Sequence, residues 1–276
     1  MNDQGYKLTI EAGKSNSNYF KDLWRYRELL YFLTWRDILI RYKQAIIGIA
    51  WSVLRPMLTI LVFSIVFGKI AKLPQGGIPY PILVITGLLP WQFFANAISE
   101  SSLSLISNTN LITKIYFPRM LIPVSTIAVS FVDFVISFVI LIGLMIWYGY
   151  FPGWEIILLP LFIVLAIIPA FGAGLWFSAL NVKYRDFRYI VPFFVWFGLL
   201  ISPVGYTSGI IENNWSLAYS LNPMVGVING FRWSILGDGF YVNIEGFIIS
   251  LLISVTLLIS GILYFRKTER VFADII

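Results

Sequence analysis

Three ionisable side chains lie inside long apolar runs of this sequence: Arg55, Glu100 and Asp133. A charge at membrane depth is expensive, so such a residue is expected to pair, face water or serve transport. Arg55 falls about seven residues into the first run and Glu100 about six residues from the end of the second. At about 1.5 Å per residue both lie roughly 10 Å deep. They are expected to form an ion pair or to share a polar cluster, as structural glue or as a substrate contact. Asp133 stands near the middle of the third run. A lone carboxylate there must be protonated, paired or facing water, and a proton relay is one chemistry open to it.

Other chemistries are excluded by composition. The 276 residues include no cysteine and no histidine, which removes disulfides, thiolate catalysis, imidazole metal sites and His-based acid–base work. No serine can have a histidine partner, and no acids recur in a DxD- or ExxE-like spacing, so a membrane enzyme is not expected. Gly13-Lys14-Ser15 resembles the end of a phosphate-binding loop, but position 8 is Leu where that loop needs glycine. Net charge is +6, yet the basic residues flank apolar runs and form no stripe for nucleic acid.

The elements that position these residues are membrane helices. The chain is 58% hydrophobic and 12% charged, about half the charge of a soluble domain. The fold expected is an all-α polytopic membrane protein, one domain over residues 19–276 after a polar tail at 1–18. Six transmembrane helices are expected at about 48–70, 81–105, 120–147, 156–180, 189–206 and 246–265, each near the ~20 residues needed to cross. With both ends cytoplasmic, 16 of the 20 Lys and Arg fall in 1–46, 107–119, 181–188 and 266–276, as the positive-inside rule requires. No signal peptide is expected at the start of the chain, because the first long apolar run comes late.

Residues 19–47 fit an amphipathic helix lying along the membrane. Lys21, Arg25, Glu28, Arg36 and Lys43 share one helical face, while Trp24, Tyr26 and Tyr42 suit the headgroup layer. A passive anchor and a docking platform for a cytoplasmic partner are both open readings. The basic residues Arg36, Arg41, Lys43 and Arg55 could meet an anionic diphosphate, or simply headgroups.

The connections differ in kind. Between the second and third spans, Asn108 or Asn110 can cap a short helix with Leu111, Ile112 and Ile115 on its apolar side, ended by Pro118. It is either a plug for a partner's groove or a plain loop. Residues 207–245 are rich in aromatics and interrupted by Pro223, Gly226 and Gly230. They read as a pair of short helices dipping into the outer leaflet. Ala166, Ala170, Gly174 and Ser178 form a small-residue stripe that lets another helix approach closely.

Six stretches in order, RDILIRYKQAIIGIAWSVLRP (Arg36–Pro56), GLLPWQFF (Gly87–Phe94), NLITKIYFPR (Asn110–Arg119), NVKYRDFR (Asn181–Arg188), SPVGY (Ser202–Tyr206) and LNPMVGVINGFRWSILG (Leu221–Gly237), resemble the ABC-2 type (type V exporter) permeases. Within that group they are most similar to the polysaccharide exporters for O antigen, capsule and teichoic acid. The resemblance implies a homodimer in the bacterial inner membrane, with two copies of a separate ABC ATPase subunit. ATP and Mg would be bound on that partner, with no cofactor in this chain. It implies export of a lipid-linked polysaccharide, as in lipopolysaccharide biosynthesis. The helix carrying Arg25, Arg36, Arg41 and Lys43 would be the interface helix. Asn108, Asn110, Leu111, Ile112, Lys114, Ile115 and Phe117 would form the coupling helix seated in the ATPase, and 221–236 the external re-entrant pair. Trp91, Phe93, Phe94, Tyr206, Trp215 and Trp233 are candidates to line the path, against a plain anchoring role. A permease for a drug or small lipid, and a secondary transporter or channel using Asp133, are the alternatives.

Overall fold

The computed structural model describes residues 19–43, 46–73, 77–211, 213–237, 239–240 and 243–272. The polar tail and its Gly13-Lys14-Ser15 lie outside them. Among the described residues, eleven α-helices make up the architecture. A pair, α1 (Tyr19–Arg25) and α2 (Arg27–Lys43), precedes α3 (Ile46–Phe63), which continues as a π-helical segment Ser64–Ile70. Then come α4 (Tyr80–Ser107), the short α5 (Thr109–Lys114), α6 (Leu121–Tyr148) and α7 (Leu159–Lys183). The chain closes with α8 (Phe187–Ile201), α9 (Asn213–Tyr219), α10 (Pro223–Leu236) and α11 (Ile244–Thr268).

Among the described residues, five helical stretches are long and apolar enough to cross a bilayer: Ala50–Ile70, Tyr80–Ser107, Leu121–Tyr148, Trp154–Lys183 and Ile244–Val271. The protein is therefore a polytopic helical membrane protein. The span expected at 189–206 is the exception. Its helix, α8, stops at Ile201 after 15 residues, short of the ~20 that a bilayer asks for. Residues 202–206 continue as a turn along α4. Val204 and Gly205 are buried there, and the Tyr80 hydroxyl donates to the Gly205 carbonyl. The amphipathic helix expected over 19–47 also departs from expectation. It is interrupted at Tyr26, although the amide of Tyr26 still donates to Asp22 at 3.0 Å.

The bundle is organised around α4. Of its most apolar window 78% is buried, against 11–39% for the other four spans. A helix apolar on all sides belongs in the middle of a bundle. Its hydroxyls satisfy themselves locally: Ser101, Ser102 and Ser104 donate to the carbonyls three residues back.

Small residues set the approach of α7 to two neighbours. Ala166, Ala170, Gly174 and Ser178 are all buried within the chain, and a Cβ on Gly174 would meet Ser101 Oγ on α4 at 2.7 Å. On another side of α7, a Cβ on Gly172 would stand 2.5 Å from the Leu257 carbonyl carbon, and one on Gly261 would clash with Gly172. The backbones of α7 and α11 thus touch, as small residues permit in lipid.

The first described helix and the segment after α11 meet at one end of the bundle. The Tyr19 hydroxyl donates to Glu269 Oε2 at 2.7 Å, and the Arg119 amide donates to Glu269 Oε1 at 2.7 Å. Burial, followed by the Glu269 carboxylate, pushes the Tyr19 hydroxyl far above its ordinary value, so it stays protonated. A second, smaller core gathers at this end from Leu33, Leu105, Ile112, Phe117, Phe265 and Phe272.

Candidate functional site

Arg41, near the end of α2, reaches into the bundle. Its guanidinium donates from Nη2 to Glu100 Oε1 on α4 and from Nη1 to Asp133 Oδ2 on α6. The hydroxyl of Tyr42 donates to the other oxygen of Asp133. Burial first, and then Asp133, raises the Tyr42 pKa well above its ordinary value. Arg41 and Asp133 are largely sequestered, with side chains 26% and 17% exposed. Beside them a cavity of about 300 Å³ is lined by Ser52, Arg55, Gln92, Asn96, Glu100, Asp133 and Ser137 among others.

This geometry selects among the options left open for these residues. Asp133 is not a lone carboxylate, because the surface helix ends alongside α6 and supplies it with a guanidinium and a phenol. Arg55 and Glu100 share a polar cluster, but the ion pair of Glu100 is made with Arg41. Periodicity within single helices could not show that the end of α2 packs along α6 within reach of Glu100 on α4.

Arg36 ties the same surface helix to the short α5. Its Nη2 donates to the Asn108 carboxamide oxygen at 2.9 Å, and its Nε to Asp37 at 2.8 Å. Asn108 holds the N-cap position of α5 without capping it: its oxygen serves Arg36, and its amide donates to the Ser104 carbonyl at 2.9 Å. Asn110 lies within the helix. The helix also ends at Lys114, before Pro118, because Ile115 turns extended. The expected apolar side divides by burial. Ile112 and Phe117 are each 4% exposed and pack into the second core, whereas Ile115 is 55% exposed and Tyr116 64%. Asn110 and Lys114 are exposed as well, as are Arg25 and Lys43 on the surface helices.

The six aromatic candidates do not converge. Trp91 and Phe94 are buried and line an apolar cavity of about 610 Å³ between α4, α7, α8 and α9–α11. Phe93 packs against Phe131 and Phe134. Tyr206 accepts from the Tyr219 hydroxyl at 3.1 Å, Trp233 packs edge-on against Trp154 and Phe162, and Trp215 is exposed. The exposed aromatic face lies instead on α8, where Tyr189, Phe193, Trp196 and Phe197 point away from the chain and Phe193 stacks on Phe197. Residues 189, 193, 196 and 200 recur at helical spacing, the signal that marks such a face.

One residue had no signal in the sequence. Arg232 of α10 is 1% exposed and holds three carbonyls: Tyr206 at 2.6 Å, Val204 at 2.8 Å and Leu83 at 3.3 Å. It pins the turn after α8 to α4. Asn222 caps α10 by accepting from the Met224 amide at 3.0 Å and donates to Ser202 Oγ at 2.9 Å.

These features define a polytopic helical membrane domain in which a short connecting helix is bonded to α2 and a turn is pinned beside α10. The chain belongs to the ABC-2 type transporter family, whose description matches residues 28–236. It is 30% identical over 254 residues to the O-antigen export system permease protein RfbA of Klebsiella pneumoniae, covering 90% of this chain and 95% of that protein. The RfbA of Myxococcus xanthus is 28% identical over 256 residues, with 92% and 97% covered. The polysialic acid transport protein KpsM of Escherichia coli is 25% identical over 247 residues, with 85% and 91% covered. This chain is thus the permease part of an ABC transporter and not itself the ATPase.

Proposed function

We propose that this permease exports a lipid-linked, O-antigen-like polysaccharide across the bacterial inner membrane, as a homodimer carrying two copies of a cytoplasmic ABC ATPase. ATP and Mg bind on that partner. The observation that carries the substrate class is similarity along nearly the whole chain to O-antigen export permeases at 28–30% identity. In this reading the Tyr19–Glu269 end is cytoplasmic and both termini lie there. The short α8 with its turn completes a sixth crossing, and α9–α10 form the external re-entrant pair.

The mechanism follows from the contacts. The exposed Ile115 and Tyr116 seat in the ATPase, with α5 as the coupling helix and α1–α2 as the interface helix. Closure of the ATPase pair pushes α5, and the Arg36–Asn108 bond passes the push to α2. The two permease copies rock, and the glycan passes between them. The aromatic face of α8, which is exposed in the single chain, suits a path wall or the contact with the second copy. Of the four basic residues suggested for the carrier diphosphate, Arg36 and Arg41 already hold carboxylates. Arg55, exposed at the cavity, is the better candidate.

The test is a pull-down of tagged chain in mild detergent, followed by an ATPase assay and by surface-glycan profiles of a deletion strain. A stoichiometric ATPase together with loss of a surface glycan is expected. A chain that purifies alone and leaves the surface glycan intact refutes the reading.

A further inference from the structure

We propose that Arg41 and Arg55 are alternative partners for the carboxylates of Glu100 and Asp133, which makes the polar cavity a two-position latch between the surface helix and the spans. Its use in transport rests on the proposed reading of α5, whereas the latch itself is a property of this chain.

In the structure one guanidinium serves two carboxylates on two different helices. Arg41, Glu100 and Asp133 together carry a charge of about −1, which is costly away from bulk water. Arg55 lines the same cavity of about 300 Å³ and, among the described residues, has no ion pair or side-chain hydrogen bond. It brings the cavity to neutrality. A carboxylate handed from Arg41 to Arg55 changes no net charge and moves no proton, since guanidinium stays charged. The two arrangements therefore differ only in which helix, α2 or α3, is tied to α4 and α6.

Both of those helices bury few side chains within the chain, although α2 packs along α6. Leu33 is the one buried residue of α2, and the most apolar window of the α3 span is 11% buried. Elements with little buried surface are the ones that shift against a packed body, which here is α4 with α6 and α7. The trigger is built in as well. Arg36, which bonds Asn108 beside α5, stands about a turn and a half before Arg41 on the same helix. A displaced α5 draws α2 with it and loosens Arg41 from its carboxylates, and Arg55 receives them. An element with two discrete arrangements, biased by one site and felt at another, is what coupling requires.

The absence of cysteine makes a direct test possible. Ile40→Cys and Leu103→Cys sit on α2 and α4 around one cavity, and a bifunctional maleimide reports their approach. In the purified chain without nucleotide, Arg41→Gln is expected to lower the crosslinked fraction by about threefold or more, the effect of losing a contact pair. With the ATPase and ATP present, crosslinking should fall in the parent but not in Arg55→Gln, which lacks the second partner. Parental crosslinking in Arg41→Gln, or an intact ATP-dependent fall in Arg55→Gln, overturns the proposal. Should Arg41→Gln fail to insert, Glu100→Gln and Asp133→Asn replace it, each expected to lower crosslinking by about twofold; no change in either overturns the proposal. A parent that ignores ATPase and ATP altogether counts against the transport reading, while the nucleotide-free comparison still judges the latch.

Discussion

Arg36 on α2 donates to the Asn108 carboxamide at 2.9 Å, and 72 positions separate the two residues. This bond is the direct polar link between the surface helix and the connection carrying α5. It engages a carboxamide that would otherwise be free to cap that helix.

The link is testable by a double-mutant cycle. Arg36→Gln and Asn108→Ala are each expected to lower stability by about 1–2 kcal/mol, less than a fully buried charged hydrogen bond because the site is part-exposed. Their effects should be less than additive when combined. Thermal unfolding in detergent measures this. Strict additivity would mean that the bond contributes nothing.

Ile112 and Ile115 stand on opposite sides of the burial divide at α5. Ile112→Ala should destabilise the chain by about 2–4 kcal/mol through the void it leaves. Ile115→Ala should stay within about 0.5 kcal/mol, while weakening capture of the ATPase in a pull-down. The reverse pattern would place the partner on the other side of this helix.

Arg232 should resist conservative replacement. Three carbonyls on two segments match the fork of a guanidinium but not the single point of an ammonium. Arg232→Lys is expected to lose stability by about 2 kcal/mol or more, each orphaned carbonyl costing about 1–3 kcal/mol. Proteolysis of the 202–206 turn would report its release; a lysine variant as resistant as the parent would show that the fork is unnecessary.

The α7–α11 crossing has no room for a methyl group on either side. Gly172→Ala and Gly261→Ala should each destabilise by about 1–3 kcal/mol by forcing the helices apart. By contrast, Gly143→Ala, where a Cβ meets nothing within 4 Å, should be neutral or slightly stabilising, as helix propensity favours alanine. Equal melting temperatures in all three would mean that the close approach is not required.

Tyr19 gives a pH dependence. Its hydroxyl is held protonated in the folded chain above the ordinary pKa of 10.0, through burial and then Glu269. The unfolded chain ionises there first. The stability Tyr19 contributes is thus complete below about pH 10 and declines as pH rises further. In Tyr19→Phe that part of the alkaline decline should disappear from the melting curve.

Much of this molecule was legible before any coordinates. The apolar runs of 20 or more residues marked the long spans, because a bilayer admits few other solutions for the backbone. Pro223, Gly226 and Gly230 marked residues 207–245 as broken into short helices, because such residues punctuate a helix locally. Partnerships were not legible. The carboxylates at 100 and 133 find Arg41 only because the end of α2 packs along α6 within reach of α4, and no spacing along one helix encodes that packing. Arg55 and Glu100 line one cavity, but depth does not say which cation is nearer.

By itself the sequence determined that this is a helical membrane protein, and its motifs pointed to the family, since hydrophobicity, charge bias and breaker residues act locally. Tertiary structure alone decided that α4 is central, that α8 stops short, that Asn108 serves Arg36, and that Arg232 lies buried on three carbonyls. Those outcomes depend on which helices touch, and in a bilayer contact is settled by backbone approach and shared hydrogen bonds between distant segments, not by hydrophobic pattern.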